Sequence, residues 1–297
     1  MVDLAQRSYG SVRSALPNIL QRSAIAAVEG IGRASSSLRI DPSFLIVGGQ
    51  RCGTNSLYEY LSRHPNIGRA LPIQEVHYFD INFQRGASWY RSHFPTRMRA
   101  AITQWKTGRP LVTGESSPYY MFHPHAPARI AQAHPDMKLL VLLRDPTDRA
   151  YSHYRHECQR GIETLGFGEA VEAESERLAG ETAKMEQDPA YYSFNHHHFS
   201  YVSRGHYVDQ LERLYSVFPK ENVLPIVSER FFADPEPAYA EVLDFLGLPH
   251  HTLKEYSRFN MGRAASFDDR LRARVAERYA SSNERLSRLL GVSLPWS

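Results

Sequence analysis

Glycines and hydroxyl side chains follow a short apolar run near residue 48, and this pattern can bind an anion. Residues 44–47, Phe-Leu-Ile-Val, form the unbroken apolar run expected of a buried parallel strand. Three glycines within residues 48–53 permit a tight turn that approaches a ligand closely. Residues 54–56 then supply capping oxygens and exposed N–H groups at the start of a helix. Such a turn binds phosphate through free N–H groups and the helix dipole. The alternative is a glycine turn in an ordinary α/β protein.

The residue after the third glycine decides between two classes of phosphate loop. A nucleoside-triphosphate loop has a lysine there, whereas Thr54 follows Gly53 directly and the nearest cation is Arg51. The pattern resembles the 5′-phosphosulfate loop of sulfotransferases that use PAPS (3′-phosphoadenosine 5′-phosphosulfate), especially the heparan-sulfate type and its bacterial relatives. In that family a lysine usually stands where Arg51 stands, so the chain departs from the pattern at this position. The resemblance implies that PAPS is bound by Arg51, Cys52, Gly53, Thr54, Asn55 and Ser56.

A glutamate and a histidine, Glu75 and His77, follow the loop at a spacing of two residues. Sulfuryl transfer to a hydroxyl group needs a base for the acceptor proton and cations for the charge on the leaving phosphate. The resembled family has an acidic residue and a histidine at these positions, and a lysine where Gln74 stands. The resemblance implies that Glu75 is the catalytic base, His77 its neighbour in the acceptor site, and Arg51 the cation at the leaving phosphate. Taken alone, the Glu-x-His pair would fit an exposed strand face.

An arginine and a serine eight positions apart follow the strongly apolar residues 138–143. This run predicts a central strand, and Asp145 and Pro146 suit the N-cap and first position of a helix behind it. Arg144 then lies at the carboxyl edge of the sheet, where open α/β sheets bind ligands. Ser152 is about 9 Å along the helix, at 1.5 Å per residue, so both side chains can reach one phosphate. In the resembled family this pair binds the 3′-phosphate, and for Arg144 alone a salt bridge is the alternative.

Two further segments concern the acceptor. Residues 111–120 predict a short strand and a polar turn, an element that lines the acceptor cleft in the resembled family. Ser116 replaces a lysine of some heparan-sulfate enzymes there, which argues against transferring their polysaccharide specificity. The three consecutive histidines His196-His197-His198 cannot all face one metal from a regular helix or strand. No companion set of Cys and His residues supports a zinc site either. A loop beside the acceptor cleft and a plain surface loop both remain open for this run.

The last third of the chain predicts mainly helices. Acidic residues outnumber basic ones between Glu163 and Asp188, so we expect a solvated helical insertion there. A long helix is predicted for residues 268–290. The resembled family closes a glycine-arginine loop over the nucleotide, which implies Gly262 and Arg263 as a clamp. The cysteines of the disulfide hairpin that often accompanies this loop are absent.

The composition limits the classes of function. The chain has 297 residues, of which 42% are hydrophobic and 23% charged, as in ordinary globular proteins. Its net charge of +3 does not indicate a nucleic-acid partner. The two cysteines, Cys52 and Cys158, form neither a disulfide framework nor a metal set, so we expect a cytoplasmic protein without a metal. Residues 1–40 hold no apolar run that could cross a bilayer and no convincing signal peptide. We interpret them as an N-terminal arm before one domain, residues 41–297, and expect a soluble, bacterial-type enzyme.

The resemblance covers residues 43–290 and rests on four separated motifs in the right order. It implies an α/β fold, with one P-loop-type parallel sheet flanked by helices in a single domain. It also implies a PAPS-dependent sulfotransferase that releases PAP (3′-phosphoadenosine 5′-phosphate) and sulfates a hydroxyl group, or as a second choice an amine, of a carbohydrate, glycolipid or small metabolite. Two alternatives are a small-molecule kinase that uses ATP and Mg²⁺, and a non-catalytic protein that binds PAP. The sequence leaves the acceptor and the oligomeric state open.

Overall fold

A parallel five-stranded sheet organises the computed structural model, which describes residues 30, 32–257 and 267–296. The strands are β1 (Phe44–Gly48), β2 (Ile67–Arg69), β3 (Val112–Ser116), β4 (Lys138–Leu143) and β5 (Val223–Val227). Their order across the sheet is β2-β3-β1-β4-β5, and every neighbouring pair runs parallel. The predicted α/β fold, a P-loop-type parallel sheet flanked by helices, is confirmed.

Helices connect the strands and cover the sheet. They are α1 (Thr54–Leu61), α2 (Ala87–Arg91), α3 (Arg97–Thr107), α4 (Ala126–Ala133), α5 (Pro146–Gln159), α6 (Phe167–Leu178), α7 (Glu181–Gln187), α8 (Phe194–His198), α9 (Tyr207–Tyr215), α10 (Ser228–Ala233), α11 (Pro235–Phe245), α12 (Asp269–Glu277) and α13 (Ala280–Leu290). Short 3₁₀ turns lie at Ser36–Leu38, Phe83–Arg85, Ser203–Gly205 and Lys220–Asn222. Within the described residues, none of the helices combines the length and the apolar content that a membrane span requires.

The strand pattern of the sheet follows from burial. Every residue of β1 is buried, and so are the five apolar residues of β4, because helices cover both faces of a parallel sheet. The observed bounds of β4 are those predicted from its apolar run. Pro225 has no N–H to donate, and β5, which contains it, lies at the edge of the sheet.

The sheet order also fixes where a ligand can bind. The chain leaves β1 towards β2 and β3 on one side of the sheet, and leaves β4 towards β5 on the other. The connections therefore diverge beyond the carboxyl ends of β1 and β4, which are neighbours. In open α/β sheets this point of divergence forms the ligand crevice. The phosphate loop follows β1 and Arg144 follows β4, so both predicted anion motifs border the same crevice.

Two predictions about the helices need correction. The long helix expected at residues 268–290 is instead divided into α12 and α13, because Tyr279 turns inward at their junction, where it is fully buried and donates to Val202 O at 3.1 Å. The acidic insertion is helical, as predicted, but it is not wholly solvated. Glu163, Glu174 and Glu181 are buried, and each carboxylate accepts hydrogen bonds that fix neighbouring chain segments. The predicted N-terminal arm lies largely outside the described residues.

Candidate active site

The glycine-rich loop runs from the carboxyl end of β1 into α1. Gly49 N–H donates to Leu142 O of β4 at 2.6 Å, which holds the loop at the crevice. Gly53 is the N-cap of α1 with φ of 100°, and a Cβ there would lie 2.6 Å from the Phe232 ring, so only glycine fits. No side chain among the described residues caps this helix. Its first N–H groups, beginning with Thr54, are therefore left without a side-chain cap at the positive end of the helix dipole, an arrangement that can bind an anion.

Two side chains predicted to bind the cofactor, those of Cys52 and Asn55, contact other side chains of the protein. Cys52 is buried, its Sγ lies 3.6 Å from the hydroxyl of Tyr207, and burial raises the pKa of its thiol. Ser228 Oγ donates to Cys52 O at 2.7 Å. Asn55 Oδ1 accepts a hydrogen bond from Gln74 Nε2 at 2.9 Å. Cys52 can thus offer an anion only its N–H, which already donates to Gly49 O at 3.1 Å. Asn55 joins the phosphate loop to the segment that contains Glu75.

The structure brings the two predicted phosphate motifs into direct contact. Arg51 Nε donates to Ser152 Oγ at 3.1 Å, although the residues lie 101 positions apart. Arg144 Nη2 lies 3.5 Å from Asp148 Oδ2, one turn further along α5. Burial, and then the charges of Arg144 and Arg149, lower the pKa of Arg51. Cations that repel one another at a half-buried crevice are stabilised by a bound anion, as phosphate-binding sites require.

Arg149 is a residue of this crevice that sequence reasoning missed. Its side chain is fully buried, and Nη2 donates to the carbonyl oxygens of Ser200 and Tyr201. Nε and Nη1 have no hydrogen-bond partner among the described residues. A buried guanidinium with unsatisfied donors is costly unless an anion compensates its charge. Helical spacing offered a signal, because Arg149 lies three residues before Ser152 and so on the same side of α5.

Glu75 and His77 form one chain of charged groups with Asp80. His77 Nε2 lies 3.5 Å from Glu75 Oε2, and His77 Nδ1 lies 2.7 Å from Asp80 Oδ2. Burial alone would lower the pKa of His77, but the carboxylates of Asp80 and then Glu75 outweigh it and raise that pKa well above its usual value. The two carboxylates therefore favour the protonated form of the imidazole. The Glu75 side chain is 42% exposed while that of Asp80 is buried. Of these three charged groups, Glu75 is therefore the one that a substrate can reach.

Glu115 lies beneath the group formed by Glu75, His77 and Asp80, and it was not singled out from the sequence. It is fully buried at the end of β3 and accepts hydrogen bonds from Ser117 Oγ and the Tyr120 hydroxyl, both at 2.6 Å. Ser117 Oγ in turn accepts from His77 N–H at 2.9 Å. Burial raises the pKa of Glu115 to about 7, against the opposing effect of the two hydroxyl donors. This carboxyl group thus positions the backbone of His77 from below.

The histidine run forms the short helix α8, not the loop that we predicted from sequence. The His197 ring stacks on Tyr119 at 4.5 Å between centroids and lies 6.3 Å from the ring of His77. Burial, followed by the charge of Arg204, lowers the pKa of His196 to about 3 and that of His197 to about 2. These neutral imidazoles form a wall beside the acceptor segment. In the described part of the chain no group of three side chains is arranged to hold a metal.

Arg204 joins that wall to the phosphate loop. Its buried guanidinium lies 4.6 Å above the Tyr119 ring, donates to His197 O at 2.7 Å, and hydrogen-bonds the side-chain oxygen of Gln50. No local sequence signal indicates this role for Arg204, because its partners Gln50 and Tyr119 lie far away in the chain. The donor and acceptor sides of the crevice are therefore connected twice, through Arg204 and Gln50 and through Gln74 and Asn55.

The predicted clamp residues, Gly262 and Arg263, lie outside the described residues. The helix that follows them, α12, returns to the start of α5. There Arg272 forms ion pairs with Asp148 and, at 3.6 Å, with Asp145. Because Asp148 also contacts Arg144, the C-terminal helix is linked to the predicted 3′-phosphate site.

Comparisons with known proteins agree with this geometry. Residues 41–283 match the family described as the sulfotransferase domain. Human heparan sulfate glucosamine 3-O-sulfotransferase 6 is 33% identical over 219 residues, which are 74% of this chain and 56% of that protein. Human bifunctional heparan sulfate N-deacetylase/N-sulfotransferase 3 is 31% identical over 230 residues, or 74% of this chain and 24% of that protein. The chain thus spans about half, or less, of the length of these curated relatives.

A solved structure extends the likeness over more of the chain. The crystal structure of a sulfotransferase from Alicyclobacillus acidocaldarius has 30% sequence identity and a TM-score of 0.63. The alignment covers 86% of this chain and 99% of that one. Sulfotransferases of this family take their sulfuryl group from PAPS. The family match, the aligned fold and the phosphate crevice lead to one conclusion: the chain belongs to the sulfotransferase family and is a PAPS-dependent enzyme.

Proposed function

We propose that this enzyme transfers the sulfuryl group to a hydroxyl group of a carbohydrate, glycolipid or small metabolite. The observation that carries the proposal is the half-exposed carboxylate of Glu75, which lies 3.5 Å from His77 and is tied to the phosphate loop through Gln74 and Asn55. A base is thereby fixed beside the donor crevice. A hydroxyl group must lose its proton as it attacks, so a fixed base suits such an acceptor.

The donor is held by residues on both sides of the crevice. PAPS supplies the activated sulfuryl group, and PAP is the group that leaves. In our proposal the backbone of residues 52–56 binds the 5′-phosphate, while Arg144 and Ser152 bind the 3′-phosphate. Arg51 stabilises the charge that develops on the leaving phosphate, and its hydrogen bond to Ser152 supports a position between the two phosphates. The mutual repulsion of Arg51, Arg144 and Arg149 supports a dianionic ligand here.

Glu75 takes the acceptor proton in this proposal, and His77 and Asp80 hold Glu75 in place. A protonated imidazole cannot accept another proton, so the raised pKa of His77 favours Glu75 as the base. His77 instead keeps the carboxylate oriented beside the crevice through the contact at 3.5 Å. The neutral rings of His197 and Tyr119 then form one wall of the acceptor site.

Two further features complete the proposed enzyme: a clamp over the nucleotide and an arm before the domain. Gly262 and Arg263 clamp the nucleotide, and the ion pairs of Arg272 beside Arg144 support a clamp that returns to this site. Residues 1–40 form an arm before the domain of residues 41–297, since the family match begins at residue 41.

A cytoplasmic location is supported by Cys52 and Cys158, which are both free thiols. The kinase and the non-catalytic alternatives are set aside because the chain belongs to the sulfotransferase family.

The acceptor class can be tested with radiolabelled PAPS and paired acceptors. Each pair offers the same sugar with its amine free or acetylated, and a glycolipid and a phenol complete the panel. The proposal predicts transfer to acetylated sugars or other hydroxyl compounds, with an O-sulfate identified by mass spectrometry. Glu284→Gln, a change at an exposed carboxylate away from the crevice, serves as the matched control for variants of Glu75. Transfer confined to free amines would overturn the choice of a hydroxyl acceptor.

A further inference from the structure

The helix α3 (Arg97–Thr107) carries an apolar stripe that the protein does not cover. Met98, Ile102 and Trp105 follow one another at spacings of four and three residues and so share one face of the helix. These three residues are 73%, 46% and 83% exposed. Ala100 and Thr103, on the opposite face, are the half-buried residues by which the helix rests on the domain. An exposed stripe that includes tryptophan and lies opposite the packed face indicates a surface for a partner.

Cations surround the stripe, and no acidic residue is near it in the chain. From Asp80 to Glu115 the intervening sequence contains Arg85, Arg91, Arg97, Arg99, Lys106 and Arg109 and no carboxylate. On the helical wheel, Arg99 and Lys106 border one side of the stripe and Arg97 the other. These three side chains and Arg109 are exposed and form no ion pair with any residue of the described ranges. The surface is therefore both apolar and electropositive.

We propose that α3 docks this enzyme on an anionic lipid bilayer, with the stripe in the interface and the cations at the headgroups. Helices of this pattern lie in the membrane plane and insert their apolar face to the boundary of the acyl chains, and tryptophan is enriched at that depth. Basic residues beside the bilayer are attracted to anionic headgroups. The exposed Leu38 extends the apolar surface, since its neighbour Arg39 forms a bridge with Thr96 at the start of α3.

Charge argues against the other occupants of the stripe. A second copy packed stripe against stripe would place Arg99 and Lys106 against like charges. Residues 1–29 contain three arginines and two acidic residues, so they do not complement a basic surface. A sulfated glycan would satisfy the cations but would leave Met98, Ile102 and Trp105 in water. An anionic bilayer satisfies both halves of the pattern, and this surface is separate from the residues of the crevice.

The test measures sedimentation of the full-length chain with vesicles of phosphatidylcholine, with and without phosphatidylglycerol. We expect binding only to the vesicles with phosphatidylglycerol, weakening as salt screens the charges. Trp105→Ser should abolish most of this binding, and Lys106→Glu should weaken it about five-fold or more, the effect of one basic residue at an anionic surface. Val292→Ser and Lys254→Glu, at exposed sites elsewhere, are the matched controls and should bind as the parent does. PAP affinity should be unchanged in all four variants.

Several results would overturn the proposal. The first two are absence of binding to any vesicle and equal binding to vesicles with and without phosphatidylglycerol. A third is a loss of binding in Lys254→Glu as large as that in Lys106→Glu, which would mean adsorption through overall charge. Retained binding by Trp105→Ser would remove the apolar stripe from the contact. A change of oligomeric mass in Trp105→Ser, without a change in vesicle binding, would assign the stripe to a second copy.

Discussion

Glu115→Gln should remove a pH dependence of stability that the buried carboxyl group imposes on the folded protein. The pKa of Glu115 is raised from 4.5 to about 7 by burial. The folded state therefore holds this proton more tightly than the unfolded chain does. Stability from Glu115 is fully present below pH 4.5 and is lost as the pH rises through about 7.

The size of the effect follows from the two pKa values. Proton linkage between 4.5 and about 7 gives a loss of about 2.5 kcal/mol in the free energy of unfolding from roughly pH 5 to pH 8. A glutamine has no proton to lose, so the variant lacks this component. Its amide can still bond Ser117 and Tyr120, but it places a donor beside Val76 N–H, at a cost of about 1 kcal/mol. The variant should then be the less stable protein near pH 5 and the more stable one near pH 8.

Urea unfolding of both proteins at the two pH values, at equal ionic strength, measures this directly. The buried histidines, such as His123 and His196, have lowered pKa values that favour folding at higher pH. They act equally in both proteins and cancel when the difference between wild type and variant is taken. Glu157→Gln is an unsuitable control because it breaks contacts to two histidines, whereas the exposed Glu284→Gln should follow wild type. A difference between wild type and Glu115→Gln that stays constant with pH would refute the reasoning.

Three further predictions concern the nucleotide. PAP should raise the melting temperature more than ATP with Mg²⁺ does, since only a ligand of the native state stabilises it; a larger shift with ATP would contradict the assigned donor. Arg144→Ala should weaken PAP by about 1.5–3 kcal/mol, the range for a hydrogen bond to a charged group, as titration calorimetry can measure; equal affinity would remove Arg144 from the site. Arg51→Ala should lower turnover of bound substrate by a larger factor than it weakens PAP; lost affinity with unchanged turnover would make Arg51 a binding residue only.

Local sequence signals predict the elements of this fold well. The apolar residues of β4 indicate a buried strand, and Asp145 caps α5 through bonds to the N–H groups of Thr147 and Asp148, as its residue type and position suggest. The phosphate loop and Arg144 could be placed at one crevice because the carboxyl ends of parallel strands meet at the same edge. These inferences need only residues that are near one another in the chain.

The features of the site that could not be predicted from the sequence depend on contacts between residues far apart in the chain. The Arg51 bond to Ser152 spans 101 positions, and the buried carbonyl partners of Arg149 belong to residues more than 50 positions later. Burial of Glu115 beneath His77, and hence its raised pKa, follows from the packing of two separate segments. Arg204 likewise reaches Gln50 across the crevice. Helical spacing can place Arg149 beside Ser152, but no periodicity or motif in the sequence indicates which distant residue each of these side chains contacts.

The roles of Glu75 and His77 can be separated by measuring turnover of saturating acceptor and PAPS in three variants. Glu75→Gln keeps the size of the side chain and removes its basicity, so PAP affinity and melting temperature should stay near those of wild type. Turnover should fall about 10²–10⁴-fold, the usual effect of a positioned general base. His77→Ala should lower turnover by a smaller factor, because Glu75 keeps its carboxylate and loses only the contact at 3.5 Å that orients it. The matched control Glu284→Gln should retain full turnover.

This comparison tests the central claim, that Glu75 is the base of a sulfuryl transfer and His77 its positioning partner. The expected order of turnover is wild type and Glu284→Gln, then His77→Ala, then Glu75→Gln. If Glu75→Gln retains most of the activity while His77→Ala abolishes it in a folded protein that still binds PAP, then the imidazole takes the proton and the assignment of Glu75 is wrong.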